Sequence, residues 1–415
     1  MTSIDPATSE DSDLAAFGAA VGNRRIVLLT EATHGDGATF QLKTRLVKYL
    51  HETKGFDVLF IESGMYDVTR IQQRLAAGGD SISVQAPGRI FYMYSRTDLG
   101  QQMLKYVDQT RATATPLEPW GDDVPMNGVD SVQSLLPNLQ AFLVAHHSTL
   151  PQGAGWAGWL RVAQQSVALV KTTPISSVDS ASFLSLSPAL IAELCSQADT
   201  PGDLLQSPAY WCRIAKGVQA DYTHLWSATD VRTPTDLRDI TAAGNIEWAL
   251  DGRLAGRKAI VWLHAIHGDN GFAGLGPCAW AASQECGPGW TNVGTDLRRA
   301  YGDQVYIANI TAGGGTYDTY NTASSCGAAS PGFVLATPGS NSLEYYLGAG
   351  GQPRFMAWPA DAAGRQRIAS LTALEEEFNM ATPSHFGSAY QGLFYLPRLA
   401  PIGTNCAAFP VVAYP

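Results

Sequence analysis

Apolar residues in the first sixty positions follow two different rhythms. Arg25 to Thr30 (RIVLLT) and Asp57 to Glu62 (DVLFIE) are short, nearly continuous apolar runs, whereas Phe40, Leu42, Leu46, Val47 and Leu50 recur near helical spacing. A continuous run of this length suits a strand buried on both faces, and the periodic stretch predicts an amphipathic helix over about Thr39 to Thr53, stopped at Gly55. Strand, helix and strand in close succession make a βαβ unit, which calls for a parallel sheet with a right-handed crossover.

The same rhythm returns near the middle of the chain. KAIVWLH (Lys258 to His264) predicts a third buried strand, TNVGTDLRRAYG (Thr291 to Gly302) a capped helix, and QVYIANI (Gln304 to Ile310) a fourth strand. Asp13 to Val21 reads as a short helix. Pro116 to Asp123 (PLEPWGDD) is a weaker strand candidate, because a proline cannot donate to a sheet ladder. Residues 126 to 250 carry mostly helical patterns, such as VQSLLPNLQAFLVAHH, and the tail from 331 onward mixes short strands and turns. No repeat of solenoid period is present. The expected fold is therefore α/β, a mostly parallel sheet flanked by helices, as one domain over 1–415. Residues 126–250 are expected to form a helical subdomain covering the cleft at the carboxyl ends of the strands.

Composition narrows the partners. Of 415 residues, 15% are charged and the net charge is −10, which offers no broad attraction to phosphate backbones or anionic lipid. Neither nucleic acid nor a membrane is expected as a partner; no apolar run approaches the roughly 20 residues of a bilayer span, and MTSIDPATSEDSDLAAF lacks the basic flank and apolar centre of a signal peptide. The six cysteines, Cys195, Cys212, Cys278, Cys286, Cys326 and Cys406, are even in number, and two bracket a Gly-rich loop. With the low charge they lean toward an exported over a cytoplasmic protein, and none has the C-x-x-C spacing of a zinc site. A monomer or small homo-oligomer is expected.

Candidate chemistry gathers at the strand ends. Glu31 follows the first strand, Glu62 ends the second, His264 ends the third, and His34 and His267 lie in the turns just beyond. In an open parallel sheet ligands bind outside the carboxyl ends of the strands, so these five are expected to converge in one cleft, with Asp122 and Asp123 joining from the same side. Each alone would read as a helix cap or a core histidine. Other motifs fail: there is no G-x-S-x-G elbow and no P-loop, and HETKG from His51 lacks the second histidine of H-E-x-x-H. GLGPCA matches G-x-G-x-x-A only inside a Gly-rich loop, and the NIT sequon at Asn309 falls within a predicted buried strand.

TEATHG, then FQLKTRLVKYLHETKGFDVLFIES, VWLHAIHG and NVGTDLRRAYGDQVYIANITAGGG, resemble the erythromycin esterase family in order and spacing, as do GSNSLEYYL and GLFYLPRL later on. The likeness runs over most of the chain and is weakest over 126–250. It implies hydrolysis of an ester or lactone, with His34 as the general base and Glu31 its acidic partner; no cofactor is expected. It also matches Glu62, His264 and His267 to the family's strand-end glutamate and later histidine pair, and Lys43 to a basic helix position. Lys43, Trp120 and Asp122 are expected to bind substrate. The sequence departs from the family's pattern at Thr30, Ala38 and Ala265. The expected function is hydrolysis of a small-molecule ester, macrolide-type or related, by His-activated water. Three histidines and two carboxylates also suit Zn, Mn or Fe, so a metal-dependent hydrolase on the same cluster is an alternative, and a non-enzymatic ligand-binding protein is another.

Overall fold

A computed structural model describes residues 1–227, 232–270, 291–318, 332–375, 380–383 and 386–414. Seven strands form the central sheet: β1 (Ile26–Glu31), β2 (Val58–Gly64), β3 (Glu118–Asp123), β4 (Ala259–His264), β5 (Val305–Ala312), β6 (Arg354–Ala357) and β7 (Gly392–Leu396). Their order is β3-β2-β4-β1-β5-β7-β6, parallel throughout except for β6, which runs antiparallel to β7 at one edge. The α/β class and the mostly parallel sheet read from the sequence are thus the fold observed.

The continuous apolar runs are explained by what covers each face. Along β1, Val27 and Leu29 pack into one core with Phe17 of α1 (Ala15–Val21) and with Phe40, Leu46, Val47 and Leu50 of α2 (Gly37–Lys54), while Ile26 and Leu28 face a second core on the opposite side. That second core is closed by Ile246 and Leu250 of a long helix, Arg232–Asp251, and by Leu297 of another, Val293–Tyr301. Strands buried on both faces need apolar side chains at every position, which is why period-two alternation is missing. α2 starts two residues earlier than its periodicity predicts, because the Asp36 carboxylate accepts from the backbone N–H groups of Ala38 and Thr39 at 3.0 Å each and so caps it. It ends at Gly55, whose φ of 70° is the left-handed turn glycine adopts freely.

Between β3 and β4 lie helices with a core of their own. Leu139, Phe142, Trp156, Trp159, Phe183, Leu190, Trp211 and Val218 pack together, and Met65 and Tyr66 of α3 (Met65–Ala76) join them to the main body. Trp156 and Trp159 stack with ring centres 4.8 Å apart, and Trp159 and Trp211 donate their indole N–H groups to Ser187 Oγ and Leu205 O. These tryptophans are helix-packing residues. A disulfide joins Cys195 to Cys212 and so ties helix Ser177–Cys195 to helix Pro208–Tyr222. Helix Ser177–Cys195 is the one described helix long and apolar enough to meet the length and composition of a membrane span. Here it packs into this cluster through Phe183, Leu190 and Leu194. Cys278, Cys286 and Cys326, and the Gly-rich loop that the first two bracket, lie outside the described residues.

Asp67 on α3 holds the start of this excursion. Its buried carboxylate accepts from the backbone N–H of Asp130 at 2.9 Å and from the Ser131 hydroxyl, and a Cβ at Gly128 would meet it at 2.2 Å. Burial pushes its pKa up to about 7, against the lowering effect of the Ser131 hydrogen bond. A carboxyl raised in the folded state binds its proton more tightly there than when unfolded. Its contribution is complete below the ordinary carboxyl pKa of about 4 and is lost as pH rises through 7. Denaturant titration is expected to show that wild type loses on the order of 2–4 kcal/mol more between pH 4 and pH 8 than Asp67→Asn, which keeps the shape without the charge. Parallel pH profiles would remove Asp67 as the source.

Candidate active site

β1 ends between β4 and β5, where the strand order turns back on itself, and the candidate residues collect at that carboxyl edge. Glu31 pairs in register with His264 on the neighbouring strand. From Glu31 the chain turns so that His34 folds back, its Nδ1 2.9 Å from Glu31 Oε1. A carboxylate only accepts, so Nδ1 carries a proton, and Nε2 points toward Glu62 Oε2, 3.8 Å away. Gly35 makes this turn possible through close approach: a Cβ there would lie 1.7 Å from the carbonyl oxygen of Asp318, whose N–H donates to Gly35 O.

Lys43 stands behind this pair. Its ammonium, fully buried, donates to Glu31 Oε2 and lies 4.5 Å from the centre of the Trp262 ring. Burial pushes the Lys43 pKa well below its ordinary value, opposed by the negative charge of Glu62. Phe91 and Tyr94 wall the other side of His34, with ring centres at 5.0 and 5.8 Å.

Glu62 is the hub. Its Oε2 accepts from the backbone N–H of His264 at 2.8 Å and its Oε1 from Arg238 Nη2 at 2.9 Å, with His267 Nε2 3.6 Å away. Burial favours the protonated form, yet His34, His267, Arg238 and His264 around it outweigh burial and hold the pKa well below the usual carboxylate range. Arg238 also forks onto Asp123 through Nε and Nη2, and its Nη1 reaches His267 Nε2 at 2.9 Å. His267 Nδ1 is 2.7 Å from Asp239 Oδ1.

Among the expected site residues, the structure brings Glu31, His34, Glu62, His264 and His267 to one place. Within that group the two later histidines differ. His264 Nε2 faces the carbonyl of Ala32 at 3.0 Å and its Nδ1 accepts from the N–H of Ile266 at 3.1 Å, so both ring nitrogens are engaged by backbone. Asp122 is buried beside Asp123 and Glu62, and burial with those two negative charges pushes its pKa well above the ordinary value. Lys43 and Trp120 do not reach a substrate surface. Lys43 is sealed behind Glu31, and Trp120 lies mid-strand, packed against Phe60 with its N–H on Glu118 Oε1. Thr30 is fully buried, its one hydroxyl proton within reach of both Asp269 Oδ1 at 2.9 Å and Asn309 Oδ1 at 3.0 Å, and it braces the loop after β4. Ala38 and Ala265 are buried as well.

Arg238 and Asp239 were not singled out by sequence reasoning. A signal existed: Asp239, Ala242, Ala243, Ile246, Ala249 and Leu250 recur at helical spacing, so a carboxylate stands on the core-facing stripe of its helix. Arg238 also bears on metal binding. Its guanidinium fills the position between Glu62, Asp123 and His267 to which a cation would be drawn, and among the described residues no group of three His, Cys, Asp or Glu side chains is arranged to hold a metal ion.

Fold and site together define a doubly covered parallel α/β protein with a histidine–carboxylate cluster at the switch point of its sheet. The erythromycin esterase family model matches residues 51–379, and the chain belongs to that family. A putative hydrolase, YbfO, of Bacillus subtilis is 42% identical over 64 residues, 15% of this chain and 14% of that protein, so the match spans a small part of that relative's length. Three solved structures share the fold. A Bacillus cereus protein gives a TM-score of 0.71 at 19% identity, covering 97% of this chain and 95% of that one. A succinoglycan biosynthesis protein gives 0.70 at 16%, covering 97% and 94%. A histidine-to-asparagine mutant of the erythromycin esterase EreC in its open conformation gives 0.68 at 14%, covering 97% of both chains.

Proposed function

We propose that the protein is a hydrolase that cleaves a carboxylic ester or lactone, macrolide-type or a related natural-product ester, with water activated by His34. The observation that carries this reading is the orientation of His34: Nδ1–H is tied to Glu31 and the Nε2 edge faces Glu62. A histidine so held can take a proton from water as it attacks a carbonyl carbon, then return it to the departing alkoxide. Glu31 fixes the tautomer and, with Glu62, stabilises the imidazolium that forms in between, as the acid does in a catalytic triad. Arg238 is the cation best placed for the oxyanion. Four of its N–H groups are committed to Asp123, Glu62 and His267, which leaves one on Nη1 without a partner among the described residues. A single donor of this kind is worth roughly 3 to 4 kcal/mol in the transition state.

The family and the hydrolase relative support the reaction class, and the likeness to an erythromycin esterase supports a macrolide-type ester as substrate. The test is a hydrolysis screen of purified protein against macrolides, aryl esters and acylated sugars, read by release of carboxylic acid. Turnover of at least one class is the expected result. Tight binding with no turnover of any would replace the hydrolase reading with a ligand-binding one.

A further inference from the structure

We propose that Asp239 is a positioning residue of this site: the carboxylate partner of His267, which fixes that ring so that Arg238 and Glu62 stay in place. The inference rests on the hydrolase reading for its kinetic consequence, but not for its chemistry.

The chemistry follows from donors and acceptors. A guanidinium has only N–H groups, so the 2.9 Å contact from Arg238 Nη1 requires His267 Nε2 to accept. The ring proton must then be on Nδ1, where Asp239 Oδ1 receives it at 2.7 Å. Arg238 and Asp239 are consecutive residues of helix Arg232–Asp251, yet both reach the same imidazole, one at each nitrogen. Asp239 is buried, and its second oxygen has no partner among the described residues, so the carboxylate has one task.

The arrangement repeats the one at His34. In both dyads a buried carboxylate holds Nδ1 and the Nε2 edge faces Glu62, at 3.8 Å from His34 and 3.6 Å from His267. The roles differ because of Arg238. His34 is assigned the proton transfer with water, whereas His267 Nε2 supports the guanidinium that in turn holds Glu62 Oε1. Without Asp239 the ring proton can move to Nε2. Two N–H groups would then face each other, Arg238 would be pushed away, and Glu62 Oε1 would lose its guanidinium partner, leaving Oε2 on the His264 N–H to hold the carboxylate beside His34.

Two measurements on the full chain test this. In wild type, nitrogen-15 NMR of the imidazoles is expected to show His267, assigned by its absence in His267→Gln, as the Nδ1–H form. Asp239→Asn, whose amide can present N–H to the ring, is expected to convert it at least partly to Nε2–H. In ester hydrolysis Asp239→Asn is expected to lower kcat by about 10- to 100-fold with KM changed less than about threefold, and Asp239→Glu to recover part of the loss. An Nε2–H ring in wild type, or wild-type kcat in Asp239→Asn, would overturn the proposal. If wild type hydrolyses no ester, the hydrolase reading fails by itself and the NMR result still decides the role of Asp239. If the variant does not fold, the wild-type spectrum decides it.

Discussion

Replacing His34 with alanine is expected to lower kcat for ester hydrolysis by about 10²- to 10⁴-fold, the contribution of a positioned general base. The protein should remain folded. The His34 side chain is partly exposed at the carboxyl edge of the sheet, and its removal leaves the buried Glu31–Lys43 ion pair intact. The cost in stability should therefore stay near the ~1 kcal/mol of an average substitution. Turnover of an ester identified in the screen and denaturant unfolding check the two halves together. An alanine variant that folds and hydrolyses at the wild-type rate would remove His34 as the base.

Lys43→Met is expected to act in the opposite order, on stability first. It leaves the Glu31 carboxylate, 1% exposed, with no cation beside it, and breaking one partner out of a buried pair typically costs about 3–5 kcal/mol. Glu31 can relieve this by taking a proton, but a protonated Glu31 no longer stabilises an imidazolium at His34, so kcat should fall as well. KM should not move, because the ammonium is sealed from the cleft. This separates the structure's placement of Lys43 from the substrate contact expected of it, which would raise KM. A double variant, Lys43→Met with Glu31→Gln, should recover much of the stability and none of the activity.

Much of this fold was legible because a parallel sheet writes itself plainly. The strands at β1, β2, β4 and β5 were visible as apolar runs, within a residue or two of their observed limits. β3 was harder, since Pro119 argues against a strand. The sheet tolerates it because β3 lies at the sheet edge, with β2 its one partner strand among the described residues. β6 and β7 were not resolved from the surrounding turns. In the site, residues carried by strand ends could be gathered from order alone. Arg238, Asp239 and Tyr94 could not, because helical periodicity says which face is buried but not which element it is buried against. Nor could the sequence distinguish His264, whose nitrogens are engaged by Ala32 and Ile266, from His267, whose nitrogens meet side chains.

The strand order also governs how the chain must assemble. β1 and β2 are consecutive in sequence but not neighbours in the sheet: β4 lies between them, and it is made only after the whole helical excursion from residue 124 to 258. During synthesis the two strands that carry Glu31 and Glu62 therefore wait with facing edges unpaired and a gap one strand wide. Exposed strand edges are templates for pairing with other chains, and long-range parallel pairing is slow to form. The nascent chain is thus most vulnerable to aggregation before β4 arrives, and truncation anywhere upstream of residue 264 should give an insoluble fragment instead of a partly active one.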